Sequence, residues 1–111
     1  MNSLPWKRSR KLPNEWAMSI GLLTVDCFLG ESLSLKDKRR ILLSLTERLR
    51  REFNVALCEV AYHNQWQRSK LAIVLINTDW RILQQSQNKI LNLIEKNGRI
   101  NVIDTELERL R

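Results

Sequence analysis

The chain has 111 residues, 43% of them hydrophobic and 28% charged, with a formal net charge of +7 at pH 7. That length supports one hydrophobic core and not two, and the apolar content excludes a wholly disordered chain. No apolar run reaches the ~18 residues a membrane span needs, since the longest, residues 18–25, is interrupted by Ser19, Gly21 and Thr24.

Residues 1–17 contain both prolines and the cations Lys7, Arg8, Arg10 and Lys11 against Glu15 alone, which predicts a flexible basic arm ahead of a single domain at 18–111. The basic start imitates the first part of a signal peptide, but Pro13, Asn14 and Glu15 separate it from the short apolar run, so the expected location is the cytoplasm. Residues 17–29, rich in Ile, Leu and Val, predict a first strand closed by Gly30. Ser34 then stands as an N-cap with Asp37 placed to reach back to the cap's N–H, and Ile41, Leu42, Leu45 and Leu49 recur at helical spacing, giving a helix over 35–52.

Residues 55–62 and 71–76 read as strands joined by the polar bend His63-Asn64-Gln65, a hairpin. Asn77, Thr78 and Asp79 offer caps for a second helix whose Ile82, Leu83, Ile90, Leu93 and Ile94 should face inward, and Asn97-Gly98 supplies its left-handed end. Residues 100–103 form a short last strand, and the charged stretch 106–111 is expected to be exposed. Cys27 and Cys58, each inside a strand and without further cysteines, read as buried reduced thiols.

The order βαββαβ with crossovers of this length predicts an α+β fold, the ferredoxin-like sandwich of one four-stranded antiparallel sheet with both helices on one face. The other face is left open. Strands one and three carry apolar side chains on both sides, as in Ile20, Leu22, Leu23 and Val25, so something is expected to cover that face, a second copy being the simplest candidate.

Three ordered motifs carry a resemblance. They are Ser34-Leu35-Lys36-Asp37-Lys38-Arg39-Arg40, then Arg51-Glu52-Phe53-Asn54-Val55 leading to Glu59-Val60, and finally Trp66-Gln67-Arg68. Together they resemble the YlxP-like bacterial family, an uncharacterised domain, over residues 19–105. The resemblance implies a ferredoxin-like fold and a gene that in many bacteria lies beside translation-initiation and ribosome-maturation factors; it implies no established activity. Members often place an acidic residue and His-Gln-Asp ahead of the Trp-Gln pair, where this chain has Ala61, Tyr62, His63, Asn64 and Gln65.

No nucleophile with a paired base, no ligand spacing for a metal around His63, the single histidine, and no phosphate-cradling glycine loop is present, so neither enzymatic activity nor a cofactor is expected. The clearest anomaly is electrostatic. Lys36, Lys38, Arg39 and Arg40 crowd the start of the first helix, where the backbone dipole makes each cation cost ~0.3 to 1 kcal/mol, an arrangement suited to phosphate. On a helical wheel Lys36, Arg39 and Arg40 share the outer face with Arg50 and Arg51, while Lys38 falls at the angle of Leu42 and Leu49, at the rim of the sheet. The plainer reading is a solvated face partly balanced by Asp37 and Glu47.

Trp66, Gln67 and Arg68, with His63 and Tyr62 near them, combine a stacking surface with hydrogen-bonding groups as an unpaired base requires; the commoner role of an aromatic beside a turn is structural, and Trp66 would then pin the hairpin onto the core or onto a dimer partner. Trp6 and Trp16 interleave with Lys7, Arg8, Arg10 and Lys11 in the arm, which suits a segment that orders on RNA. The expectation is therefore an RNA- or ribosome-associated binding module, the alternative a homo-oligomeric interaction module that binds no nucleic acid, and a distant third an enzyme acting on an anionic metabolite.

Overall fold

Local signals in the chain become six elements in the computed structural model, which describes residues 12–13 and 15–111. They are β1 (Ser19–Phe28), α1 (Leu35–Glu52), β2 (Val55–Ala61), β3 (Arg68–Asn77), α2 (Trp80–Lys96) and β4 (Asn101–Arg109). The Ser34 hydroxyl accepts from the Asp37 N–H at 3.0 Å, which satisfies one of the free donors at the start of α1. The Asp37 carboxylate returns to the Leu33 N–H at 3.0 Å, one residue earlier than the cap expected of it. At α2 the cap is Asp79, accepting from Arg81 N–H at 2.8 Å, and Gly98 at φ 79° ends the helix in the left-handed region that costs glycine least.

The strands form one antiparallel sheet in the order β2-β3-β1-β4, so the two central strands are β1 and β3 and the fold is the ferredoxin-like α+β sandwich. Leu23, Val25 and Cys27 of β1 and Leu71, Ile73 and Leu75 of β3 are buried against Leu45 and Leu49 of α1 and Leu83, Ile90 and Ile94 of α2. At ~25 cal/mol per Å² of apolar surface removed from water, this layer is the main driving force for folding.

Three expectations change. The last strand runs to Arg109, well past residue 103, because Thr105 and Leu107 continue the inward alternation and pair with Val25 and Leu23 while the charged residues between them point out. The third strand begins at Arg68, since Arg68 to Lys70 stay in register with Asp26 to Phe28 of β1. Ile82 is 44% exposed, because Leu83 takes the inward position in that turn of α2.

The open face is real. Its β1 and β3 residues pair as Ile20 with Ile76, Leu22 with Val74 and Thr24 with Ala72, and Val74 and Ile76 remain more than 40% exposed. Cys58, expected to be buried, is instead exposed, because it takes an outward position of edge strand β2 on this uncovered face; Cys27 is buried in the core as expected, and burial and the neighbouring Asp26 push its thiol up to about 12. Among the described residues, no helix is long and apolar enough to cross a membrane.

Candidate nucleic-acid interface

The first helix turn divides its cations between two environments. Lys38 shares its helix face with Leu42, Leu45 and Leu49 and is only 1% exposed. Its ammonium donates to the carbonyls of Tyr62 at 2.8 Å, His63 at 3.2 Å and Arg68 at 3.2 Å, and lies 3.0 Å from Glu59 Oε2. Every donor of the group is therefore used inside the protein. Lys38 is not a phosphate ligand at the rim, as the sequence suggested, but the tie that holds the β2–β3 bend to α1.

Glu59, which the sequence analysis passed over as a site residue, is the hub of this network. Besides Lys38 it receives the Ser69 hydroxyl at 2.6 Å and contacts His63 Nδ1 at 3.1 Å. A signal was available, because the alternation that turns Val55 and Leu57 inward turns Glu59 inward too. Burial works to raise its pKa, yet the hydrogen bonds from Ser69, Lys38 and His63 with the Lys38 charge outweigh it and hold the carboxyl below its ordinary value of 4.5. A carboxylate with a lowered folded-state pKa stabilises the fold above its unfolded pKa and ceases to do so as the pH falls through the folded value. Stability measured by urea unfolding is thus expected to fall between about pH 5 and lower values more steeply in the native chain than in Glu59→Gln; equal slopes would show that Glu59 carries none of the acid sensitivity.

Above this network the bend is fixed from two sides. Gln67 donates its side-chain amide to the carbonyls of Gly30 at 3.0 Å and Ser32 at 3.3 Å, and its own carbonyl accepts from the Leu29 N–H at 2.8 Å. The amide is committed to the β1–α1 loop, so Gln67 is a clamp instead of the base reader expected of it. Tyr62 adopts φ 65°, a strained left-handed conformation for a bulky residue, with its carbonyl on the Lys38 ammonium. The Arg68 guanidinium lies 4.5 Å above the Tyr62 ring and its Nη2 donates to both carboxylate oxygens of Asp26 at 3.0 Å, while its buried Nε has no partner. Arg68 is thereby largely neutralised.

Trp66 is left standing out from the clamp, 55% exposed. It does not pack into the chain's own core. With Phe28, Ile103 and the side chains of Asn64 and Gln65 it borders an open groove of about 580 Å³ at the end of the sheet. Lys36 and Arg39 are exposed at the start of α1 and form no ion pair among the described residues, whereas Arg40 reaches Asp37 at 3.3 Å. Arg40 also shares a cleft of about 270 Å³ with Arg99, Glu31 and Asp37. His63 is exposed beside Glu59. Lys7, Arg8, Arg10 and Lys11 lie outside the described residues. Among the described residues, no cluster of three or more His, Cys, Asp or Glu side chains is placed to hold a metal ion.

An uncharacterised protein, YlxP of Bacillus subtilis (strain 168), is 28% identical over 76 residues, which cover 68% of this chain and 83% of that protein. The de novo designed protein Foldit4 superposes with a TM-score of 0.52 at 16% identity, covering 84% of this chain and 97% of Foldit4, and shares the fold alone. The profile of the family described as "Protein of unknown function (DUF503)" matches residues 20–107, four-fifths of the sequence, and the chain belongs to that family.

Proposed function

We propose that this domain is an RNA-binding module that meets unpaired RNA at the end of the sandwich formed by the β2–β3 bend, the β1–α1 loop and the start of α1. The observation that carries the reading is the Gln67 clamp. By bonding the carbonyls of Gly30 and Ser32 it brings the exposed Trp66 to the same end of the fold as the unpaired cations Lys36 and Arg39. Stacking on an aromatic ring and neutralisation of neighbouring phosphates are the two contributions that single-stranded RNA requires. Arg40 and Arg99 line a separate cleft in which Glu31 and Asp37 balance their charge.

Fluorescence anisotropy with labelled ribosomal RNA fragments tests this. Trp66→Ala is expected to weaken binding by about 1 to 3 kcal/mol with little change in salt dependence, because it removes stacking and no charge. The Lys36→Ala/Arg39→Ala/Arg40→Ala chain should lose affinity and also salt sensitivity, the log–log slope dropping by about 0.7 for each phosphate contact removed. RNA affinity that is unchanged in both variants, or insensitive to salt in the native chain, would refute the reading.

A second reading, self-association through the open sheet face, is favoured by the exposure of Val60, Val74 and Ile76 at 41–46% beside Ile20 and Leu22. It predicts a dimer in light scattering that persists on dilution.

A further inference from the structure

Three large apolar side chains from separate parts of the chain meet, exposed, in one groove. Phe28 ends β1, Trp66 stands on the β2–β3 bend and Ile103 belongs to β4, and all three border the open groove at the end of the sheet. Single exposed apolar residues are ordinary on a protein surface, whereas a cluster of them marks a place of contact.

Each of the three is set there by its own local device. Val102 lies opposite Cys27 and Asp104 opposite Asp26, so Ile103 is the extra residue of a β-bulge, without a partner on β1. Bulges re-aim side chains in this way beside binding sites. The Phe28 ring lies across Gly30, where a Cβ would stand 2.8 Å from a ring carbon, so the absence of a side chain at residue 30 is what leaves the ring its place. The Gly30 carbonyl also receives the Gln67 amide, and Gln67 is the neighbour that carries Trp66.

The walls carry no unpaired charge. Arg68 is the charged residue among them, and Asp26 holds its guanidinium. Asn64 and Gln65 line the groove as well, and their side-chain amides have no hydrogen-bond partner among the described residues. Each amide offers both donors and an acceptor. Such walls have little to hold a phosphate, which needs cations, and suit a flat uncharged ring with a mixed hydrogen-bonding edge.

We propose that the groove is a purine-base pocket, with Phe28 as a second stacking wall beside Trp66, Ile103 as an apolar border, and Asn64 and Gln65 on the hydrogen-bonding edge of the base. The inference rests on the RNA reading and names what that site prefers. The preference for a purine comes from area, because two fused rings cover more of Phe28, Trp66 and Ile103 than a single ring does, and stacking strength sets the preferences of surfaces of this kind. Adenine and guanine both present a donor next to an acceptor, so the amides satisfy either one, and no choice between them is expected.

Anisotropy titrations of the full chain test it with a short oligouridylate and the same oligomer carrying a central adenosine, guanosine or cytidine, all of equal charge. The two purine oligomers are expected to bind roughly threefold or more tightly than the two pyrimidine ones. Phe28→Leu keeps an apolar side chain but no ring, and the ratio should fall toward one; Phe28→Tyr keeps the ring and should keep the ratio. Urea midpoints measured alongside separate a lost contact from a lost fold. Equal affinity for purine and pyrimidine oligomers in the native chain, or a ratio that survives in a folded Phe28→Leu chain, would overturn the inference and leave the RNA reading standing. Failure of the native chain to bind any of the oligomers would overturn both.

Discussion

Replacing Lys38 by methionine is expected to destabilise the protein by about 3 kcal/mol, read as a lower urea midpoint at unchanged slope. The stem of the side chain is buried on the same helix face as Leu42, one turn along, and methionine keeps most of that burial. What is lost is an ammonium that satisfies three carbonyls and one carboxylate in a place water reaches poorly. Breaking a buried pair from one side costs more than the pair itself contributes, since the remaining partner keeps its desolvation and loses its compensation. The lower end of the usual 3 to 5 kcal/mol applies because Glu59 retains 21% of its side-chain exposure and its bonds to Ser69 and His63. The double change Lys38→Met/Glu59→Leu should recover part of the loss. Lys36→Ala, two residues away and exposed, should change stability by less than about 0.5 kcal/mol. If the two lysines behaved alike, the buried placement of Lys38 would be wrong. The same substitution bears on function, since Lys38 holds the bend that carries Trp66; RNA affinity should drop in Lys38→Met even though the variant loses no exposed charge.

Much of the fold was legible because the signals that specify it are local. Ser34 and Asp37 mark the start of α1, and Gly98 the end of α2, through hydrogen bonds and dihedral angles that involve only near neighbours. The true length of β4 was not, because a charged strand such as 104–109 is stabilised by pairing with β1, a partner eighty residues away in sequence, and its own composition resembles a solvated tail. The candidate site divided along the same line. Lys36, Arg39 and Arg40 are on the surface that the helical wheel assigns them, while Lys38, at an apolar angle on that wheel, turned out to be interior once an inward-pointing carboxylate stood opposite it on β2. Gln67 could not be separated from Trp66 by sequence, since the target of its amide, the pair of carbonyls at Gly30 and Ser32, is a tertiary contact.

Two adjacent residues of β3 measure how completely the open face is covered. Ile73 is fully buried between Leu23 and Leu57, and Ile73→Ala is expected to cost 2 to 5 kcal/mol, the range for removing a large aliphatic side chain from a packed core. Val74, one step along the strand and 41% exposed, points to the other face between Leu22 and Ala56, and Val74→Ala should cost under about 1 kcal/mol. The ratio is a direct consequence of period-two alternation, so near-equal losses would mean that the open face is packed as tightly as the helix side.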